Sequence, residues 1–329
     1  MPGIFELFAN RIFVFCLSFA CTIICGPIFV PILKKLKFGQ TVREDGPKTH
    51  LTKAGTPTMG GIIFLIPGVL IMIVASFVNP QILPILLVVI GFGTVGFVDD
   101  LLKILKKSKD GLSAKQKTIG LLLVAVAFTF YLVYIAEFGT DMILPFTKMR
   151  QMINIPVWLY ILLTVITFYS TTNAVNLTDG VDGLASSVTF IVMIFFSIIA
   201  NLKSDVRFLM LFSMVIAAGC LGFLLFNAHP AKVFMGDCGS LALGGAVAAS
   251  AVILKVHWII LIVGIIYVAE AASVVIQVGY YKLKKKRVFK MAPIHHHFEL
   301  SGWREKKVVA IFCAVTIIFS VIGMSALLL

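Results

Sequence analysis

Five carboxylates of this chain lie in three short polar gaps between long apolar runs. The whole chain has only 15 Asp and Glu residues, and these gaps contain Asp99 with Asp100, Asp179 with Asp182, and Asp237. Carboxylate oxygens, together with phosphate oxygens and waters, are the ligands that Mg²⁺ prefers. If the three gaps meet in space, the pattern predicts a magnesium site that handles phosphate groups.

The first gap begins where the third apolar run ends, with the string DDLLK from Asp99 to Lys103. Adjacent aspartates repel each other and are unfavourable beside lipid, and a divalent cation relieves both effects. Lys103 follows one helical turn later, so it could lie near an aspartate and neutralise a phosphate. The alternative is a solvated helix end with an ion pair inside the helix.

The second gap has the string NAVNLTDGVDGLA and contains no Lys or Arg. Asn176, Asp179 and Asp182 are three residues apart, so a helical turn would place them on roughly one face. Their charge requires a counter-charge from elsewhere, either a metal ion or a distant lysine. The alternative is that Asp179 caps a helix, which would leave Asn176 and Asp182 unexplained.

Two glycine-containing strings are candidate phosphate-binding segments. NAHPAKVFMGDCGSLALGG begins at Asn227 and has Asp237 beside Gly236, and glycines let backbone amides approach a phosphate. GPKTHLTKAGTPTMGG has Lys53 before a helix that we expect to begin near Thr58, and a helix N-terminus attracts anions. A turn capped by Asp237 would also explain the first string, and orienting lysines with a threonine cap would explain the second.

Three consecutive histidines, His295, His296 and His297, lie in the string APIHHHFELSGWRE. Successive residues of a helix point in different directions, so the three rings cannot all face one metal ion. We expect hydrogen bonds to phosphate or pyrophosphate, with one or two rings directed inward. The alternative is polar decoration of the membrane interface, with Trp303 as an aromatic anchor.

Two further features lie inside apolar runs. Glu270 is an acid within the ninth run, and we interpret it as a sign that this helix breaks or bends. The string GFGTVG, residues 91–96, matches a dinucleotide-binding fingerprint, but that fingerprint needs a soluble strand–turn–helix unit. Small residues in a membrane helix instead allow close helix packing.

The composition indicates a helical membrane protein. Of the 329 residues, 60% are hydrophobic and 13% are charged, whereas soluble domains average about 25% charged residues. Apolar runs of about 20 residues recur, which is long enough to cross a hydrocarbon layer of about 30 Å. The net charge of +13 would suggest nucleic acid in a soluble protein, but here the lysines orient helices and meet anionic lipid headgroups.

We predict an all-α polytopic integral membrane protein with ten transmembrane helices and both termini extracytoplasmic. Alternating connections put all three acidic gaps on one side, and 22 of the 28 Lys and Arg residues fall on that side, which makes it cytoplasmic. The cytoplasmic loops are too short for a separate domain, so residues 1–329 form a single transmembrane domain. The predicted spans are 11–33, 58–78, 81–101, 116–136, 156–176, 183–200, 206–226, 239–254, 257–281 and 307–328.

Taken together, DDLLK, NAVNLTDGVDGLA, FMGDCGSLALGG and PIHHHFE resemble the phospho-N-acetylmuramoyl-pentapeptide transferase family. These strings occur in the family's order along nearly the whole chain, and the histidine string separates this family from related polyprenyl-phosphate sugar-1-phosphate transferases. The resemblance implies transfer of phospho-N-acetylmuramoyl-pentapeptide from its UDP carrier to undecaprenyl phosphate, giving lipid I and UMP. It also implies Mg²⁺, a homodimer, and a bacterial plasma membrane protein whose active site faces the cytoplasm.

The resemblance also implies roles for individual residues. Asp237 resembles the family's Mg²⁺-coordinating acid, and Asp99 and Asp100 resemble its essential pair, with all three near the metal. We add His296 to these acids as a catalytic candidate. The expected substrate-binding residues are Lys53, Thr58, Lys103, Lys115, Asn176, Asp179, Asp182, Asn227, Gln277, His295 and His297.

The mechanism expected from this set is direct in-line attack with Asp99 as base or orienting group. A covalent aspartyl intermediate is the competing route. Three other functions stay open at this point: a transferase that uses UDP-N-acetylglucosamine, an anion transporter and a structural membrane protein. Acids gathered at cytoplasmic helix ends favour interfacial chemistry over transport, because transporter sites lie near the bilayer midplane.

Overall fold

The computed structural model describes residues 7–8, 10–35, 55–106, 108, 110–147, 151–203 and 205–328. Lys53 therefore lies outside the described residues, as do the neighbouring Lys48 and His50. Among the described residues, eight helices are long and apolar enough to cross a membrane. They are α1 (Arg11–Lys35), α3 (Ile82–Leu105), α4 (Ala114–Phe130, continued by a π-helical turn to Ile135), α5 (Val157–Thr178), α6 (Leu184–Leu202), α7 (Phe208–Asn227), α8 (Gly236–Ile253) and α12 (Glu305–Leu328).

The prediction of a polytopic helical membrane protein is confirmed at this level. The shorter apolar helix α2 (Ile62–Ser76) has 15 residues, and it falls within one of the predicted spans. Counting a bent helix pair as one span raises the number of candidate spans in the described residues to nine.

The bent pair occurs where Glu270 suggested a break. A 3₁₀ turn (His257–Ile259) leads into α9 (Ile260–Val263), and α10 (Ile265–Lys284) follows after Gly264 at an angle of 85°. The prediction of a bend in this run is confirmed. The short helix α11 (Ile294–Glu299) carries the histidines and packs against α10 and α12.

Helix α8 is the centre of the bundle. Every residue from Cys238 to Ile253 is buried, and the helix packs most extensively against α3 and α5. Its sequence, GDCGSLALGGAVAASAVI, consists mainly of small residues, which let neighbouring backbones come close. A Cβ at Gly244 would lie 2.5 Å from the Cα of Thr172 on α5. The lack of large side chains therefore lets α8 occupy the bundle interior.

Two local structures fix the ends of the bundle. Ser113 caps α4 in a reciprocal arrangement with Gln116, which defines where the helix after the DDLLK segment begins. At the other end, β1 (Asp141–Ile143) and β2 (Met152–Asn154) form a small antiparallel hairpin. This hairpin is attached to the end of α8, because the Ile143 N–H donates to the Lys255 carbonyl at 2.8 Å.

Candidate active site

The three acids Asp99, Asp100 and Asp237 come together in the structure. One carboxylate oxygen from each lies within 4.8 Å of the others. The two segments are distant in the sequence: Lys103, just after the Asp99–Asp100 pair, is 134 residues from Asp237. Asp99 and Asp100 are buried near the end of α3, and Asp237 lies in the first turn of α8. The expectation that distant acidic gaps meet is confirmed for these two gaps.

The close approach of α3 and α8 depends on Gly96. A Cβ at this position would overlap the carbonyl group of Asp237. Gly96 belongs to the GFGTVG string, so the interpretation of that string as a helix-packing surface is confirmed. Because Gly96 has no side chain, α3 passes close to the start of α8. Asp100, one helical turn after Gly96, therefore lies beside that start.

Backbone amides hold the two buried aspartates in place. The Cys238 N–H donates to Asp100 Oδ2 at 3.0 Å, and the Leu112 N–H donates to Asp99 Oδ1 at 2.8 Å. Hydrogen bonds of this kind stabilise the ionised form of a buried carboxylate. Both carboxylates therefore keep their orientation, with further oxygens directed into the cluster.

Two lysines supply positive charge to the acids. Lys103 Nζ lies 2.6 Å from Asp99 Oδ2, 3.5 Å from Asp100 Oδ1 and 2.9 Å from Asp237 Oδ2. Lys117 Nζ, from α4, lies 2.9 Å from the same oxygen of Asp237. We call these five residues the acid–lysine cluster. The expectation that Lys103 lies near an aspartate is confirmed.

The structure brings Lys117, not Lys115, to Asp237. Lys115 is exposed in the first turn of α4. Two residues along an α-helix correspond to a rotation of about 200°, so the two lysines point in nearly opposite directions. The Ser113 cap shows where α4 begins, but which face of α4 turns toward α8 follows from tertiary contacts such as the one between Lys117 and Asp237.

Asn176 connects the second gap to the cluster. Its side-chain amide donates to Asp237 Oδ1 and to Ser240 Oγ, both at 2.8 Å. Asp179 follows as the residue that ends α5. Burial raises the pKa of the Asp179 carboxyl well above its ordinary value, and the negative charges of Asp237 and Asp100 raise it further.

The prediction that Asn176, Asp179 and Asp182 share one helical face is wrong. Helix α5 ends at Thr178, so the helical spacing does not continue to Asp182. Asp182 instead lies in a separate group, where His229 Nδ1 and the Ala231 N–H each lie 3.1 Å from its Oδ2. The same His229 nitrogen is 3.3 Å from Glu305 Oε2.

Thr58 is buried in a segment that runs beside the start of α8. The Phe234 N–H donates to the Pro57 carbonyl, and the Gly60 N–H donates to the Phe234 carbonyl, both at 2.8 Å. A Cβ on Gly236 would lie 2.9 Å from Thr58 Oγ1 and 2.6 Å from Asp100 Oδ2. Thr58 therefore adjoins the acid–lysine cluster, but the helix that was expected to begin near Thr58 begins at Ile62.

Two of the expected substrate-binding residues have amides engaged with the backbone. Asn227 Oδ1 accepts from the Gly183 N–H at 3.1 Å, and its Nδ2 donates to the Val233 carbonyl at 3.0 Å. Gln277 accepts from the Phe289 N–H at 2.9 Å and donates to the carbonyl of the same residue at 3.1 Å. In this structure both side chains hold connecting segments in place.

The three histidines of α11 have different surroundings. His295 is fully buried, with Nδ1 3.0 Å from Glu270 Oε1. His296 keeps about an eighth of its side chain exposed and has Nδ1 2.8 Å from Glu299 Oε2. His297 Nδ1 accepts from the Lys290 N–H at 3.1 Å. The sequence reasoning gave no role to Glu299 and only a bend to Glu270.

The donor set of the acid–lysine cluster suits Mg²⁺. It offers three carboxylates whose oxygens converge, and its two lysines neutralise only part of their negative charge. Hard oxygen ligands with residual negative charge, beside lysines, are typical of sites that bind a divalent cation and phosphate groups. The fold and this site define the class of protein: a multi-pass helical membrane protein with a group of residues suited to Mg²⁺ and phosphate at one end of its bundle.

Comparison with known proteins identifies the family within that class. The family description "Glycosyl transferase family 4" matches residues 82–255, and "Phospho-N-acetylmuramoyl-pentapeptide-transferase signature 1" matches residues 53–65. The phospho-N-acetylmuramoyl-pentapeptide-transferase of Acetivibrio thermocellus is 54% identical over 317 residues, which cover 96% of this chain and 95% of the relative. The enzymes of that name from Clostridium botulinum (strain Alaska E43 / Type E3) and Clostridium kluyveri are 51% and 48% identical, over 94% of this chain and 94% and 97% of their own lengths.

The chain belongs to the phospho-N-acetylmuramoyl-pentapeptide-transferase family, and the resemblance seen in the sequence is confirmed. It is a phosphotransferase of peptidoglycan synthesis with membrane helices, in the bacterial cytoplasmic membrane. The family uses Mg²⁺, in agreement with the donor set of the acid–lysine cluster.

Proposed function

We propose that the acid–lysine cluster carries out the reaction of this family. Phospho-N-acetylmuramoyl-pentapeptide passes from UDP-N-acetylmuramoyl-pentapeptide to undecaprenyl phosphate, UMP leaves, and lipid I stays in the membrane. One phosphoanhydride bond replaces another, so the reaction needs no ATP. The observation that supports this assignment is the convergence of three carboxylates and two lysines from distant segments at one end of the bundle.

Asp237, Asp99 and Asp100 are the residues that would hold Mg²⁺. When bound there, Mg²⁺ would supply positive charge to offset the negative charge that develops on the departing UMP. Lys103 and Lys117 neutralise the phosphate groups, since two anionic substrates must approach each other before the transfer. Asn176 keeps Asp237 oriented through its 2.8 Å hydrogen bond.

Asp99 is the base or orienting group for the lipid phosphate in this proposal. A phosphate monoester has its second pKa near 6, so the attacking phosphate is largely dianionic at neutral pH and needs little help to lose a proton. We propose direct in-line attack, which is consistent with that property. Trapping a phospho-sugar adduct on Asp99 or Asp100 would overturn direct attack in favour of a covalent intermediate.

The remaining site residues divide into substrate contacts and loop supports. Asn227 and Gln277 hold connecting segments in place through their backbone hydrogen bonds. Lys117, which contacts Asp237, takes the role that was expected for the exposed Lys115. The proposed contacts to the UDP-linked substrate are Lys53, Thr58, Asn176, Asp179, Asp182, His296 and His297.

We assign the chain ten spans and place both termini outside the cytoplasm. The tenth span is α2, whose 15 residues extend about 22 Å, and the buried segment 57–61 before it supplies much of the missing length. The acid–lysine cluster then lies at the cytoplasmic surface with most of the basic residues, as the positive-inside rule requires. Residues 1–329 act as one transmembrane domain, and two copies form a homodimer.

The experiment that tests this function is release of UMP by the full-length protein in detergent. UDP-N-acetylmuramoyl-pentapeptide, undecaprenyl phosphate and Mg²⁺ should together give UMP and a lipid-linked product, and removal of the metal with EDTA should stop the release. UDP-N-acetylglucosamine is the comparison donor. Equal turnover of the two donors would contradict the donor assignment, and UMP release that is unaffected by EDTA would contradict the metal assignment.

A further inference from the structure

The first ring of the histidine motif is enclosed and unavailable to a substrate. His295 and Glu270 are both fully buried, and His295 Nδ1 lies 3.0 Å from Glu270 Oε1. The two residues belong to different helices, α11 and α10. In the described part of the chain, Glu270 Oε2 and His295 Nε2 have no hydrogen-bond partner. Among the described residues, the contact between His295 Nδ1 and Glu270 Oε1 is therefore the hydrogen bond that each of these two side chains makes.

The other side of the His295 ring lies against the loop that carries two of the acids. A Cβ at Gly180 would overlap His295 Nε2. Gly180 lies between Asp179 and Asp182, so the ring is enclosed between the acidic loop and Glu270. Only glycine leaves room for the ring at this place.

His295 also contacts His296, a substrate contact in our proposal, and the two rings meet edge to face. The ring centroids of His295 and His296 are 4.1 Å apart. His296 is held on its other side by Glu299, with 2.8 Å between Nδ1 and Oε2. A shift of the His295 ring would therefore move the His296 ring.

We infer that Glu270 and His295 form a positioning pair, which fixes α11 against α10 and the acidic loop and so orients His296 for the transfer. A buried carboxylate without a partner is strongly unfavourable, so Glu270 holds the imidazole of His295 in one orientation. Hydrogen-bonded carboxylate–histidine pairs fix ring orientation in the same way around metal sites. The inference rests on the proposed function, because that function makes His296 a contact of the UDP-linked substrate.

Steady-state kinetics of the full-length enzyme test the pair. Glu270→Leu removes the acceptor and should lower kcat by about 10–100-fold, while KM for UDP-N-acetylmuramoyl-pentapeptide stays within about threefold. Glu270→Gln keeps an oxygen that can accept from His295 Nδ1, so it should restore most of kcat. Ser273→Ala is the matched control on the same buried face of α10, because its hydroxyl contacts only the backbone carbonyl of Glu270 among the described residues. It should leave kcat unchanged.

The deciding measurement repeats Glu270→Leu in a His296→Ala background. If Glu270 acts through His296, Glu270→Leu should lower kcat by less than about twofold in the His296→Ala background. The effects of residues that act as a unit are not additive. An equal loss in both backgrounds, or an unchanged kcat for Glu270→Leu in the otherwise native enzyme, would overturn the inference. If Glu270→Leu does not fold, Gly180→Ala displaces the same ring and is compared in the same two backgrounds, with the same criteria.

Different results would contradict the proposed function and the positioning pair. Near-normal turnover of Asp237→Asn would refute the proposed function of the cluster. Loss of turnover in Asp237→Asn together with additive effects of Glu270→Leu and His296→Ala would refute the positioning pair alone.

Discussion

The two ends of α8 each carry an ionic group, and the two groups have opposite character. At the N-terminal end, Asp237 meets two further acids and two lysines. Just after the C-terminal end, Lys255 meets one acid, with its Nζ 2.6 Å from Asp141 Oδ1 and 4.8 Å from the centre of the Phe138 ring. Both arrangements agree with the helix dipole, which favours an acid at the start and a base at the end.

The difference between the ends is the balance of charge. At the Lys255 end, Asp141 pairs with Lys255, and Lys203 Nζ donates to the Leu254 carbonyl at 3.0 Å, so the acids do not outnumber the bases there; the Asp141–Lys255 pair attaches the hairpin to the bundle. At the Asp237 end the acids outnumber the bases, and a surplus of partly buried carboxylates is unfavourable unless another cation joins them. We therefore interpret the balanced pair as an anchor and the unbalanced cluster as a binding site.

The largest effect predicted from this comparison comes from neutralising the acid at each end. Asp237→Asn should lower the rate of UMP release by about 10³-fold or more, because it removes the carboxylate on which both lysines converge. Asp141→Asn removes a carboxylate from the other end and should leave the rate within about twofold. Size-exclusion chromatography must show that both variants are folded, and a similar loss of rate in both would contradict the distinction between site and anchor.

The sequence was sufficient to predict that the first and third acidic gaps meet. Apolar runs mark membrane helices, and an alternating count of crossings places the loops on sides without any knowledge of packing. The pair Asp99–Asp100 and the distant Asp237 could therefore be assigned to one surface before any coordinates. The same reasoning could not show that α8 is central, which follows from small residues that let α3 and α5 approach it.

Predictions that depended on local geometry were less successful. Asp182 was expected beside Asn176, but α5 ends at Thr178 and the chain turns toward His229. The resemblance implied Lys115 as a substrate-binding residue, but Lys117, two residues further along α4, is the lysine that contacts Asp237. Helix ends are set by caps and tertiary contacts, and an error of one or two residues rotates a side chain to the other face.

The second prediction compares these two lysines of α4. Lys117→Gln should lower turnover by about 10–100-fold, because it removes one of the two ammonium groups that lie 2.9 Å from Asp237. Lys115→Gln is the matched control, with the same change two residues away on the exposed face, and should retain at least half of the activity. If Lys115→Gln were the more damaging substitution, the orientation of α4 described here would be wrong.

The third prediction concerns how closely α3 approaches the unbalanced end of α8. In Gly96→Ala the new methyl group would meet the backbone of Asp237, so we expect the free energy of unfolding to fall by about 1–3 kcal/mol and turnover to fall by about tenfold. Gly279→Ala is the control, since a Cβ there meets no atom within 4 Å and alanine is the better helix former. Thermal unfolding and UMP release measure the two effects, and equal behaviour of both variants would argue against tight packing at Gly96.

The smallest effect belongs to the balanced end. Lys255→Met keeps a long side chain against Phe138 but removes the charge, and it should lower the free energy of unfolding by on the order of 1 kcal/mol without changing turnover. If Asp141 and Lys255 matter only to each other, the double variant Lys255→Met with Asp141→Asn should be no less stable than the worse single variant. Additive losses of stability would mean that each residue has other important partners. A loss of turnover larger than about twofold in Lys255→Met would show that the two ends of α8 are coupled, and that the anchor also helps to hold Asp237 in the site.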